Sequence, residues 1–344
     1  MRPYLTVLIG AVALGTAGMT AISRVEARPP GDQDQPTFRA GARVVSVDVA
    51  VRRGGRPLTG LTVGDFEVLD NGVRQAVADF SYEKLPIDVT VALDVSGSVD
   101  GPLLDRLRQA VLQLRAYLRP ADRLKLITFN HRVRRIVDHA DPAAAIDAAF
   151  GQIRAGGSSA ILDALAVALT TPVGPDRRHL VVLFSDGYDT SSINDPGVLL
   201  EVARRTTPAV YAVLPQPVSR QSVAAFAGPI VPGSEGAGPG VALTRPLPEG
   251  EGPGRPVDVV DQAAQAVRQQ LFRLLAQDTG GDVFPITPTG NLGSTFRRAV
   301  DQFRSSYVLH FVPQGVDERG VHRLEVRVKR IGVDVRARRE YVWR

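Results

Sequence analysis

The chain has 344 residues, enough for one large domain and a smaller one. Its 44% apolar and 22% charged residues are a globular balance, which excludes collagen-like, coiled-coil and wholly disordered classes. It contains no cysteine and carries a formal net charge of +5, so disulfide frameworks, Cys-ligated zinc, iron–sulfur clusters and thiol nucleophiles are all excluded.

Arg2 precedes an apolar run, Leu5 to Ile22, followed by Arg24 and Arg28. A charged start and an apolar stretch are the pattern of an export signal over residues 1–28, and the run is nearly long enough to span a bilayer. Cleaved signal and retained anchor both stay open. Either one predicts an exported chain: periplasmic, secreted or held at the membrane by this segment. Residues 29–38 are polar and Pro-rich and read as a linker.

A β segment over 39–83 follows. Val45, Val47, Val49 and Val51 alternate, predicting a half-buried strand. Asp65–Leu69 and Val73–Phe80 flank Asp70-Asn71-Gly72, a hairpin signature. The other chain end, 314–344, is patterned alike. Leu324, Val326 and Val328 alternate with charged residues, and a second run follows Gly332. These strands predict a small antiparallel β domain built from the two chain ends. The tail from Arg319 to Arg344 holds nine Arg/Lys against three acids. They alternate with apolar residues without the interleaved aromatics of a nucleic-acid patch, so no nucleic-acid partner is expected.

The middle, 84–313, changes period. Ile87–Leu93 is apolar but for Asp88 and Thr90, and reads from Val89 as a strand buried on both faces. Leu103, Leu107, Val111, Leu114 and Leu118 fall at helical spacing. Strands at Leu124–Phe129, His179–Phe184, Ala209–Leu214, Asp282–Ile286 and Tyr307–Val312 alternate with helices opened by Asp141-Pro142, Ile161, Asp195-Pro196, Asp258 and Leu292. The alternation predicts an α/β fold: a doubly wound, mostly parallel sheet with helices on both faces. Residues 216–257 interrupt it with eight Pro and eight Gly, a composition expected of a mobile insertion.

The sharpest chemical signal is Asp94-Val95-Ser96-Gly97-Ser98, directly after the first buried strand and before a helix. Ligand sites of open α/β sheets lie at the carboxyl ends of strands. Asp94, Ser96 and Ser98 offer only oxygen, which suits a hard divalent cation, Mg²⁺ foremost with Mn²⁺ or Ca²⁺ as alternatives. They make half a coordination shell. Asp186-Gly187 ends another buried strand, and the Gly156-Gly157-Ser158-Ser159 loop adds hydroxyls.

These residues resemble the von Willebrand factor type A family, whose metal-ion-dependent adhesion site uses Asp-x-Ser-x-Ser, a distant Thr and a distant Asp followed by Gly. Asp94, Ser96 and Ser98 match the first element, and Asp186 with Gly187 the third. Ser159 stands where the family has its Thr, a departure that keeps the hydroxyl and loses the methyl. The flanking β segments are similar to those around this domain in bacterial exported proteins. The resemblance implies a Rossmann-like α/β domain over about Leu85–Pro313. It also implies direct ligation by the hydroxyls, Asp residues acting largely through water, and an open position filled by a partner protein's carboxylate. The implied function is metal-dependent adhesion or assembly without turnover, so no enzyme is expected.

Each residue also has a plainer reading. Ser98 and Ser158 or Ser159 suit helix caps, and Asp186 a turn. Asp163 reads as a residue that orients ligands or caps a helix, Asp100 as a helix cap, and Asp189 as solvated. Two rival classes use the same cluster. A metal-dependent phosphohydrolase would want Asp-x-Asp, but the second acid position is Ser96. A purely structural domain would keep a vestigial metal site. No Gly-x-Ser-x-Gly elbow or helical His pair is present, and His179 and His310 sit in or beside strands as packed residues.

Overall fold

The computed structural model describes residues 44–82, 85–139, 141, 144–174, 176–215, 270–287, 290–317 and 319–343. The segment 1–28 read as an export signal, the insertion 216–257 and the helix start expected at Asp258 lie outside them. Among the described residues no helix is long and apolar enough to cross a membrane.

The described chain opens with β1 (Val45–Arg53), β2 (Arg56–Pro57), β3 (Phe66–Asp70), β4 (Val73–Gln75) and β5 (Val77–Tyr82). Asn71 and Gly72 take φ of 48° and 82°, the two positive values a two-residue hairpin turn requires. The expected strand Val73–Phe80 is two strands. Buried Gln75 donates from Nε2 to the Gln314 carbonyl at 3.0 Å and accepts the Gln314 N–H on Oε1 at 2.9 Å. Beyond that anchor the chain crosses to another sheet.

The central layer follows: β6 (Ile87–Asp94), α1 (Pro102–Tyr117), β7 (Arg123–Phe129), β8 (Val133–Val137), α2 (Ala144–Gln152), α3 (Ile161–Leu169), β9 (Arg178–Phe184), α4 (Pro196–Arg205), β10 (Ala209–Pro215), α5 (270–279), β11 (Asp282–Ile286) and α6 (Leu292–Arg304). The sheet order is β11-β10-β9-β6-β7-β8. Its pairs are parallel except β7–β8, an antiparallel edge that hydropathy does not predict because Arg134 and Arg135 interrupt the alternation. Val89, Val91 and Leu93 pack with α1 and α6 on one face, and Ala92, Ile127 and Leu183 with α3, α4 and α5 on the other. The polar residues inside β6 are satisfied. Asp88 holds Arg123 and Arg177, and Thr90 Oγ1 lies 2.9 Å from His179 Nε2. Arg119-Pro120 ends α1, where Leu118 turns to the extended conformation.

The chain ends with β12 (Tyr307–Phe311), β13 (Gly320–Val328), β14 (Asp334–Ala337) and β15 (Glu340–Trp343). The strand expected at Tyr307–Val312 does not join the central sheet: it lies between β1 and β5, antiparallel to both. Tyr307, Leu309 and Phe311 face the core beside β1 and β3, whereas His310, half-buried, meets Ser46 at 2.8 Å. Only His310 is half-buried, and Val308 on its face is buried as well, so burial does not separate this strand from one of the central sheet. The terminal strands form two sheets, β14-β1-β12-β5 with β2 at the side and β15-β13-β3-β4, enclosing Val47, Phe66, Val68 and Leu324.

Candidate metal centre

The ends of β6 and β9 bring Asp94, Ser96, Ser98, Ser159 and Asp186 together. Asp94, at the last position of β6, is fully buried. Its Oδ1 accepts the Ser96 N–H at 2.9 Å. Its Oδ2 accepts hydroxyls from Ser159 at 3.0 Å and Ser185 at 2.7 Å. Ser96 and Ser98 share a hydroxyl–hydroxyl bond at 3.1 Å, and Ser98 donates to Asp186 Oδ2 at 2.6 Å. The five residues singled out by the motif thus form one hydrogen-bonded chain, joined between Asp94 and Ser96 by the Ser96 backbone N–H. Asp94, Ser96 and Ser159 are its buried floor; exposed Ser98 and half-buried Asp186 are its rim.

Sequence reasoning misses Ser185. Besides Asp94 it holds the turn, accepting the Gly187 N–H at 3.0 Å. Its signal is a hydroxyl beside Asp186 at a strand end. Three loops fix the rest. Gly156 N–H bonds the Val95 carbonyl at 2.9 Å, and Gly97 N–H bonds the Gly157 carbonyl at 3.0 Å. Gly157 has φ +81°, and a Cβ there would lie 2.7 Å from His131 Nδ1, so neither the turn nor the space admits a side chain. Asn130 donates to the Gly156 carbonyl at 2.8 Å. Ser159 receives a bond on its carbonyl from Thr190 N–H at 2.8 Å, and donates its own N–H to Thr190 Oγ1 at 2.9 Å.

Two acids depart from expectation. Asp189 is not solvated: its Oδ1 accepts the Ile161 N–H at 2.7 Å and the Ser192 hydroxyl at 2.6 Å, capping α3 from a distance. Asp100 does not cap α1; Gly101 occupies that position and donates its N–H to Asp100 Oδ1 at 2.8 Å. Asp163 accepts Ile193 and Asn194 N–H groups at 3.0 and 2.9 Å, fastening the loop after β9. Ser158 is exposed and joins none of these bonds.

Burial raises the Asp94 carboxyl above its ordinary value, and Asp186 pushes the same way against the hydrogen bonds from Ser96 and Ser185. No Lys, Arg or His among the described residues forms an ion pair with Asp94 or Asp186. Buried charges are paired or coordinate metals. The donor set, two carboxylates and serine hydroxyls with no nitrogen or sulfur, suits a hard cation. Among the described residues no three His, Cys, Asp or Glu side chains converge, so hydroxyls would form most of the shell here.

The sequence model of the family described as VWA domain containing CoxE-like protein matches residues 75–251. An uncharacterized protein, sll0103, of Synechocystis sp. is 32% identical over 124 residues, 35% of this chain and 30% of that relative, so the match spans under a third of its length. Among solved structures, the von Willebrand factor type A protein from Catenulispora acidiphila aligns with a TM-score of 0.45 at 12% identity, over 89% of this chain and 74% of its own. Proximal thread matrix protein 1 from the mussel byssus, with a zinc-occupied MIDAS motif, aligns at 0.43 and 12% identity, over 67% and 48%. An aerotolerance-related membrane protein from Bacteroides fragilis aligns at 0.42 and 14% identity, over 63% and 98%. With the family model covering just over half of the sequence, and with the Asp94, Ser96, Ser98 and Asp186 motif assembled at one sheet edge, the chain belongs to the VWA domain containing CoxE-like family.

Proposed function

We propose that this chain is an exported, non-enzymatic protein-binding module. Its Asp94, Ser96, Ser98, Ser159 and Asp186 cluster holds a divalent cation, Mg²⁺ foremost, that captures a carboxylate of a partner protein. The observation that carries this reading is the fully buried Asp94 carboxylate, ringed by hydroxyls and without a basic partner. A cation supplies the missing positive charge. When bound it also offers Lewis acidity toward an incoming anionic oxygen. Ser98 and Asp186 at the rim give a partner access, and the hydroxyl-rich set leaves the ion under-neutralised, which keeps its pull on a carboxylate. The phosphohydrolase alternative lacks a general acid: Ser96 stands at that position, bonded to Ser98. Export rests on the Arg2–Ile22 pattern, and any membrane contact would run through that segment.

Calorimetric titration with Mg²⁺ and Mn²⁺ of wild type and Asp94→Ala tests the site. Wild type binds a cation and the variant does not, while circular dichroism of the two coincides. Capture of an envelope protein should be lost in chelator. Equal capture with chelator, or wild type that binds neither cation, refutes the reading, and Mg²⁺-dependent phosphatase turnover would favour the alternative. Fractionation that leaves the whole pool in the cytosol refutes export.

A further inference from the structure

A second recess lies beside the oxygen cluster, with Val95 in its wall. It is a cavity of about 220 Å³ between β8 and the end of α2. Arg132, Arg134 and Arg154 line it, together with Asn130, Thr128 and Gln152, and no acidic residue does. Elsewhere around the central sheet several arginines meet acids: Arg123 and Arg177 hold Asp88, Arg178 holds Asp48, Arg304 holds Asp122. The neighbouring Arg135 leaves the recess and pairs with Asp138 at 2.9 Å. Arg132 and Arg134 make no side-chain hydrogen bond or ion pair among the described residues. Arg154 spends Nη1 on the Gly151 and Ile153 carbonyls, both at 2.9 Å, which orients it without neutralising it. All three residues are exposed, so an anion from outside can reach their guanidinium groups. Guanidinium forks suit the two oxygens of a carboxylate.

The position of the recess names the source of the anion. Val95, in its wall, is flanked by Asp94 and Ser96 of the oxygen cluster, and consecutive Cα atoms lie about 3.8 Å apart. Asn130, also in the wall, bonds the Gly156 carbonyl of the loop that carries Ser159. We propose that the Arg132–Arg134–Arg154 recess binds a second carboxylate of the same acidic partner segment whose first carboxylate meets the cation, so that recognition is two-point. This rests on the cation reading above and adds the partner's chemistry: an acidic segment, not a lone acid.

A fluorescent oligoglutamate peptide tests it by anisotropy, on the full chain with and without Mg²⁺. Wild type should bind in Mg²⁺ and keep weaker binding in chelator. Arg132→Gln/Arg134→Gln should weaken binding about tenfold in both conditions. Asp94→Ala should remove only the Mg²⁺ increment. Arg56→Gln/Arg74→Gln, an equal charge change on the terminal β sheets, should stay within about twofold of wild type. The inference falls if the Arg132/Arg134 variant matches wild type or that control. It also falls if inorganic phosphate displaces the peptide more effectively than free glutamate, which would make the recess a phosphate site. A wild type indifferent to Mg²⁺ overturns the cation reading and two-point capture with it, and the arginine effect in chelator separates that failure from failure of the recess.

Discussion

Asp94→Asn should raise the stability of the metal-free protein and abolish its response to Mg²⁺. The carboxylate is fully buried, faces the charge of Asp186 and has no basic partner, so its ionised form is held against burial. Asparagine keeps the shape, and its Oδ1 still accepts the Ser96 N–H. Its amide then donates toward Ser159 and Ser185, whose hydroxyls are free to rotate. The bonds survive and the charge goes. Relief of this kind at a functional site is worth about 1 kcal/mol, or about 2–4 °C in Tm for a domain of this size. Wild type gains in turn from the cation: at a Mg²⁺ concentration about a hundredfold above Kd the stabilisation is about 2.7 kcal/mol. The two proteins should therefore exchange rank. In chelator the variant melts higher; in Mg²⁺ wild type does. Differential scanning calorimetry in both buffers reads this directly. A variant that melts lower in chelator, or that rises with Mg²⁺ as wild type does, refutes the argument that Asp94 is a charge held ready for a cation.

Ser185→Ala removes the hydroxyl that Asp94 Oδ2 accepts at 2.7 Å and leaves Gly187 N–H without its partner, so Mg²⁺ affinity by calorimetry should fall about 10- to 100-fold; unchanged affinity would show that Ser185 does not orient the carboxylate. Asp189→Ala removes the acceptor of the Ile161 N–H at the start of α3 and should cost about 1 kcal/mol in urea unfolding, an effect absent if the residue were solvated. His179 is buried beside His139, and burial followed by repulsion from His139 lowers its pKa to about 4 from 6.5. The folded protein keeps it neutral while the unfolded chain takes up the proton, so stability is constant above about pH 6.5 and falls as pH drops toward 4. At about 1.4 kcal/mol per pH unit the loss is about 3 kcal/mol. His179→Gln should flatten that part of the pH–stability curve in urea melts, and an unchanged slope would place the acid sensitivity elsewhere.

The site is more legible in the sequence than the architecture around it. Asp-x-Ser-x-Ser and Ser-Asp-Gly each sit where an apolar run stops, and a strand end at an open sheet is where backbone geometry gathers ligands. Spacing alone does not reveal Ser185 under the carboxylate or Asp189 as a remote cap, because both act through partners more than 20 residues away. β12 is misplaced by hydropathy for a different reason. Tyr307-Val308-Leu309-His310-Phe311 is apolar and buried at four of its five positions, so hydropathy cannot tell that its partners are β1 and β5. β8 escapes detection because Arg134 and Arg135 stand side by side in a five-residue strand. Arg134 lines the recess, and Arg135 turns the other way to Asp138. The Val73–Phe80 strand breaks at Gln75, whose bonds to Gln314 depend on a segment far along the chain.

The terminal β sheets and the oxygen cluster occupy opposite edges of the central sheet. Arg178, the first residue of β9, reaches Asp48 of β1 at 2.6 Å and the Phe303 carbonyl at 2.7 Å. Arg336 of β14 pairs with Asp282, the first residue of β11. Arg338, buried deeply enough to lower its pKa to about 10, donates to the Ala203 carbonyl at 2.9 Å and the Pro208 carbonyl at 3.3 Å, just before β10. All these contacts fall where parallel strands begin. Asp94 ends β6, and Ser185 and Asp186 follow β9, where the strands finish. A strand of seven or eight residues rises about 3.3 Å per residue, so the two edges stand about 20–25 Å apart. The terminal strands are therefore fastened by arginines to the starts of the strands without covering their ends. That division leaves Ser98, Asp186 and the Arg132–Arg134–Arg154 recess on the edge away from those arginine contacts.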